Sequence, residues 1–161
     1  ELVHVMGVSM GGMIAQVRAA NFPSRIKTLT SVMSTTFAPH LPPPSSAAED
    51  NLRDLADGDA EASREKLMRA RGFHPESMER HLMAIFKTGD RTQEVQTITA
   101  PTLVLHGSQD PLIPPAHGVH TAEQIAGAKF VLIDGMGHNL PESYHDQIVG
   151  LMTEHIVAYD Q

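Results

Sequence analysis

Leu2-Val3-His4-Val5-Met6-Gly7-Val8-Ser9-Met10-Gly11-Gly12 decides how the chain is read. Residues 2–6 carry apolar side chains on both faces of a strand, the pattern of a strand buried on both sides in a parallel sheet. Residues 7–12 form a glycine-rich turn. From residue 12 to about residue 21 the spacing is helical, with Met13, Ile14, Val17 and Ala20 on one face, and Pro23 stops the helix. Residues 26–34, rich in Thr and Val, read as a second strand. Strand, tight turn, helix, strand is the repeating unit of a parallel α/β sheet.

The turn matches Gly-x-Ser-x-Gly and sits between a strand and a helix, the context that gives this motif its meaning. A serine on so tight a turn is forced into unfavourable backbone angles, and its neighbours must lack side chains that would clash. Gly7 and Gly11 meet that need, and Gly12 lets the helix approach closely. The Met10 N–H is expected to point at an oxyanion formed on Ser9, helped by the helix N-terminus. A phosphate-binding loop is the competing reading, but no lysine follows as such a loop requires.

Outward from the turn, Pro39 to Ser46 (PHLPPPSS) is too proline-rich for regular structure and reads as a linker. Beyond it lies a helical insert. Ala48, Leu52, Leu55 and Ala56 make one stripe, residues 60–71 a weaker helix, and Pro75 starts a third with Met78, Leu82, Ile85 and Phe86 along one face. Strands are expected at residues 102–106 and 130–133, with helices at 116–126 and about 142–159. The organisation expected is therefore residues 1–36 and 98–161 as two parts of one α/β core, with residues 37–97 as a small helical cap.

Composition narrows the function. The chain has 161 residues, 41% of them apolar, enough for one domain with a real core. A formal charge of −7 with no basic run argues against nucleic acid and anionic membrane surfaces. The absence of cysteine excludes thiol catalysis, thiolate metal sites and disulfides. With no tryptophan and 4% aromatics, base-stacking platforms and sugar-binding clefts are poorly supplied. No apolar stretch approaches transmembrane length and no signal-peptide core opens the chain, so the expected location is cytoplasmic.

A serine alone is a weak nucleophile and needs a base oriented by a third group. Asp110 lies in His106-Gly107-Ser108-Gln109-Asp110-Pro111, just past a predicted strand. His138 lies in Asp134-Gly135-Met136-Gly137-His138-Asn139, just past the next. Both loops fall at the C-terminal edge of the sheet, as Ser9 does. Asp134, four residues from His138, is a rival acid, though its loop would have to fold back to reach the far ring nitrogen. His106 reads as structural. His117 and His120, spaced i, i+3, have no carboxylate at matching spacing and read as helix-surface histidines, so no metal is expected.

With Gly7–Gly12 (GVSMGG), Pro101–Asp110 (PTLVLHGSQD) and Gly135–His138 (GMGH), the chain resembles the α/β-hydrolase superfamily. Ala116-His117-Gly118 and the stretch from Gly135 to Pro141 are similar to the anthracycline-methylesterase-like esterases. The resemblance implies Ser9 as nucleophile, His138 as base, Asp110 as orienting acid, and the Met10 N–H as one oxyanion donor. It implies a cofactor-free serine hydrolase acting on a small-molecule carboxylic ester, with Leu82, Phe86 and Met136 as candidate substrate contacts. Val8 stands where many relatives carry histidine or another large polar residue. Thioesterase, lactonase, C–C hydrolase and cofactor-free haloperoxidase chemistry stay open, as does an inactive fragment or binding module. The resemblance also implies strands before the nucleophile strand and a His-Gly loop supplying a second oxyanion donor, and no candidate for that loop precedes Ser9. The expectation is a C-terminal portion of a longer hydrolase. Its strand at residues 2–6 would be covered by an N-terminal segment or by a second copy in a homo-oligomer.

Overall fold

A computed structural model describes residues 1–50 and 75–160. Four strands form one sheet in the order β1-β2-β3-β4, every neighbouring pair parallel: β1 (Val3–Val8), β2 (Ile26–Val32), β3 (Thr102–Gly107) and β4 (Lys129–Ile133). The helices are α1 (Met10–Asn21), α2 (Pro75–Thr88), the short α3 (Thr92–Val95), α4 (Ala116–Gln124) and α5 (His145–Ala158). A parallel sheet with helices in its connections agrees with the partial α/β-hydrolase fold that the resemblance implies. The stripe at Leu52, Leu55 and Ala56 and the weaker helix expected at 60–71 lie outside the described residues, whereas the helix expected from Pro75 is α2.

Two compact units divide the chain: residues 1–43 with 90–161, and residues 44–89. The first holds the sheet. Strand β3 is buried along its whole length and β2 nearly so, whereas β1 and β4 are edges with partly exposed residues. Because side chains alternate along a strand, the sheet feeds two cores. Leu29 packs with Ala15, Ala19, Ile98 and Ile125 on one face. Val32, Leu103, Leu105 and Ile133 pack with Met136 and Ile148 on the other. Burying each Leu, Ile or Val side chain contributes roughly 1.5–3 kcal/mol.

Helix α1 differs from the expected pattern. Its buried residues are Gly12, Met13, Ala15, Gln16 and Ala19, while Ile14 is 55% exposed. Small residues face the sheet because the helix sits close to it. A Cβ on Gly12 would lie 2.6 Å from the Ser34 Cβ. The helix is also clasped from below by Arg91, which is buried. Its Nη1 donates to the Met13 carbonyl and to Gln16 Oε1, both at 3.2 Å, and its Nη2 donates to the Thr35 carbonyl. The Arg91 N–H donates to the Thr36 carbonyl at 2.8 Å. The residues where the chain leaves the sheet and where it returns are thus bonded to each other.

In the second unit, α2 places Leu82 and Ile85 half-buried and leaves Phe86 64% exposed. Among the described residues no helix is long and apolar enough to cross a membrane.

Candidate active site

Strand β1 runs through Gly7 to Val8 and α1 begins at Met10, so the turn between them is the single residue Ser9. Its φ of 53° and ψ of −121° are strained for a residue with a Cβ, costing about 1–3 kcal/mol. Three backbone bonds hold it there. The Ser9 N–H donates to the Val32 carbonyl at 2.9 Å, and the Ser9 carbonyl accepts from the N–H groups of Gly12 and Met13. Gly7 is required by space, since a Cβ there would stand 2.0 Å from the Gly11 carbonyl oxygen. Gly11 is not: a Cβ on it meets nothing within 4 Å. The clearance expected of Gly11 is supplied instead by Gly7 and Gly12, because the helix starts one residue after Ser9 and turns position 11 away from the strand. Met10, first residue of α1, belongs to the N–H groups that a helix leaves without an intrahelical acceptor.

Asp110 and His138 follow β3 and β4, and the loops that carry them are fastened together. A Cβ on Gly107 would lie 2.2 Å from the Met136 carbonyl oxygen, so the two backbones touch. The Gln109 N–H donates to that carbonyl at 3.0 Å. Ser108 Oγ accepts the Gly135 N–H at 2.8 Å and donates to Asp134 Oδ1 at 3.1 Å. Gly135 has φ of 74°, a backbone that glycine adopts without strain. Sequence reasoning missed Gly107 and Ser108. The signal was their place between a buried strand and the candidate acid.

From this base the three predicted side chains meet. His138 Nε2 lies 2.9 Å from Ser9 Oγ, and His138 Nδ1 lies 2.7 Å from Asp110 Oδ2. Asp110 Oδ1 accepts the N–H groups of Leu112 and Ile113 at 3.0 and 2.8 Å. Burial alone would push the Asp110 carboxyl pKa up. Hydrogen bonds from the two neighbouring histidines and the Ile113 N–H outweigh it and hold the group well below the usual carboxylate range. Asp110 is therefore ionised at neutral pH. An ionised carboxylate only accepts, so His138 Nδ1 carries the ring proton and Nε2 is free to accept from Ser9. Asp134, the rival acid, is bonded to Ser108 rather than to the histidine.

Met136 was expected near substrate and is placed otherwise. It is fully buried in the core beside Leu105, Ile133 and Ile148. Its carbonyl, not its side chain, serves the site, because the tight turn from β4 drives the side chain under the sheet. His120 is not a surface histidine, and His117 is half-buried. His117 bridges Thr35 Oγ1 at 2.7 Å and the Pro42 carbonyl at 2.8 Å, and His120 is buried with its Nε2 3.3 Å from Thr92 Oγ1. Burial lowers the pKa of both. Among the described residues no three His, Cys, Asp or Glu side chains are grouped to hold a metal.

Residues 1–151 match the profile described as the alpha/beta hydrolase family. Two curated relatives, the rhodomycin D methylesterases of Streptomyces peucetius and of Streptomyces sp. (strain C5), are 27% and 28% identical, over 96% of this chain and 67% of theirs. Both are by name carboxylic ester hydrolases. Among solved structures, a meta-cleavage product hydrolase from Pseudomonas fluorescens superposes with a TM-score of 0.72 at 18% identity, over 98% of this chain and 65% of that one. A thermophilic esterase from Thermogutta terrifontis does so with a TM-score of 0.68 at 22% identity, over 99% of this chain and 66% of that one. The chain thus spans about two thirds of the length of the proteins it matches.

Proposed function

The chain belongs to the alpha/beta hydrolase family, and we propose on that premise that it cleaves a carboxylic ester through Ser9, His138 and Asp110. The observation that carries the reading is the unbroken hydrogen-bonded path from Ser9 Oγ through the His138 ring to Asp110 Oδ2. His138 Nε2 takes the hydroxyl proton as Ser9 Oγ attacks the ester carbonyl carbon. The resulting oxyanion is met by the Met10 N–H at the start of α1. The imidazolium returns the proton to the departing alkoxide, which leaves as an alcohol, and the acyl group stays on Ser9. Water then attacks that acyl group with the same ring as base, releasing the acid. Asp110 fixes the tautomer and stabilises the imidazolium throughout.

The names of the methylesterase relatives support an ester of a small alcohol, methanol first, on a larger acyl portion. The same proposal places the protein in the cytoplasm. It also includes association through the outer side of β1, where Leu2, Val3 and Met6 at and before the strand are 52%, 45% and 43% exposed and β1 pairs, among the described residues, with β2 alone.

A fluorophosphonate probe tests the nucleophile. Labelling is expected once, at Ser9, and lost in Ser9→Ala. Labelling at another serine, or ester turnover that survives Ser9→Ala, would overturn the assignment.

A further inference from the structure

His106 is buried at the end of β3 and takes no part in the path from Ser9 to Asp110. Its ring stands at the base of that path. Nε2 lies 2.7 Å from the Ile113 carbonyl oxygen and 3.5 Å from Asp110 Oδ2. A carbonyl oxygen only accepts, so Nε2 carries the ring proton and Nδ1 is a bare acceptor. That Nδ1 is buried without a hydrogen-bond partner among the described residues. Gly118 of α4 presses on the ring from the other side, since a Cβ there would lie 2.5 Å from Nδ1. An apolar side chain of similar size would fill this slot without stranding a nitrogen. Packing therefore does not account for the histidine. What the ring adds is the Nε2–H.

That N–H donates chiefly to Ile113, at 2.7 Å, with Asp110 Oδ2 farther off at 3.5 Å. Ile113 gives its N–H to Asp110 Oδ1 and its carbonyl to His106 Nε2. We propose that His106 is a positioning residue: by gripping Ile113 it fixes the rotation of the Asp110 carboxylate, so that Oδ2 meets His138 Nδ1. This rests on reading Ser9, His138 and Asp110 as the reacting groups. Hydrogen bonding by His106 is also among the causes that hold Asp110 ionised against its burial. The titratable groups facing that carboxylate are His106 and His138, with His117 of α4 farther out.

The test compares His106→Gln with His106→Asn in the full chain. A glutamine amide nitrogen reaches about where Nε2 sits, whereas an asparagine amide falls short, near Nδ1. Ester kinetics across pH should show the Gln variant within about threefold of the parent kcat. The Asn variant should lose roughly 10- to 100-fold in kcat with KM within about twofold, a fraction of the loss that follows removal of the acid itself. The acid limb of its kcat/KM profile should move to lower pH by about half a unit or more, because a turned carboxylate stabilises the His138 imidazolium less. Equal kcat and an unmoved acid limb in both variants would overturn the proposal. So would a loss in the Asn variant that merely tracks its folded fraction. If the Asn variant does not fold, His106→Leu, which fills the slot with no donor, replaces it in the comparison. Ser9→Ala assayed alongside separates the two readings: turnover surviving in it refutes the nucleophile, not His106. The His138 Nδ1–H resonance read by NMR then still decides: it should shift in the Asn variant, where the bond to Asp110 is turned, and stay in place in the Gln variant, and an unmoved resonance in both would overturn the role.

Discussion

At Ser9 a strained backbone, held by three backbone bonds, is possible only because Cβ atoms are missing nearby, whereas at Asp110 and His138 unstrained loops are kept in place by hydrogen bonds. Around Ser9 the decisive distances are those a Cβ would have on Gly7 and Gly12. Around the loops after β3 and β4 they are the bonds through Ser108, Gln109 and Met136. Among the described residues, neither loop holds a non-glycine residue at positive φ. The difference teaches how each half should fail. Steric enforcement is all-or-none, because a backbone oxygen cannot move aside. Hydrogen-bonded enforcement is graded, since each bond contributes about 1 kcal/mol and its neighbours persist.

The largest effect is therefore expected at Gly7. Gly7→Ala drives a Cβ into the Gly11 carbonyl and should destabilise the chain by about 3 kcal/mol while ending probe labelling of Ser9. Chemical denaturation and labelling check both, and an intact, reactive protein would break the steric half of the comparison. Next comes Asp110→Asn, which should keep the fold and cut ester turnover by about 10⁴, since the favoured histidine tautomer is reversed. Asp134→Asn, at a carboxylate bonded by Ser108 rather than by His138, should stay within about threefold. Reversed results would make Asp134 the acid.

Acid should sharpen the loop half. The Asp110 pKa is depressed in the fold, so its contribution to stability is complete above the unfolded carboxylate pKa of about 4 and is lost as pH falls from there toward the folded value. Melting temperatures across that window should fall more steeply in the parent than in Asp110→Asn, where this slope is absent. Ser108→Ala removes two bonds at an exposed turn and should cost about 1 kcal/mol, with turnover lowered severalfold rather than abolished. The smallest effect is expected at Gly11. Gly11→Ala meets nothing and gains helix propensity, so the melting temperature should rise slightly, by up to about 1 kcal/mol of stability. A large loss would mean that position 11 is crowded after all.

The sheet and the three site side chains were legible because their signals are local. Residues 2–6 are apolar on both faces, the glycines flank Ser9, and Asp110 and His138 each follow an apolar strand by a few residues. What escaped was set by contacts distant in sequence. Ile14 fits the apolar helical spacing and is exposed, because the face that α1 buries runs through Gly12, Ala15, Gln16 and Ala19 and leaves position 14 pointing away from it. Met136 looked like a pocket residue by adjacency to His138, but its direction depends on the turn that Ser108 and Gln109 impose from another loop. His117 and His120 looked like solvent-facing neighbours, yet their partners, Thr35, Pro42 and Thr92, come from other segments. No periodicity along one helix contains that information.

The bonds between Arg91 and residues 35–36 have a consequence for how such a chain can change over time. The exit and return points of the insert are held a hydrogen bond apart by groups that belong wholly to the sheet-bearing unit. To that unit, residues 44–89 are a loop whose ends are already closed. For such a loop the entropic cost rises only with the logarithm of its length, by about 0.6 kcal/mol for each doubling. Insertions, deletions or wholesale exchange of the segment are then thermodynamically cheap for the sheet, provided Thr35, Thr36 and Arg91 keep their grip. The sequence of the insert can drift rapidly while the Ser9, Asp110 and His138 geometry stays where it is.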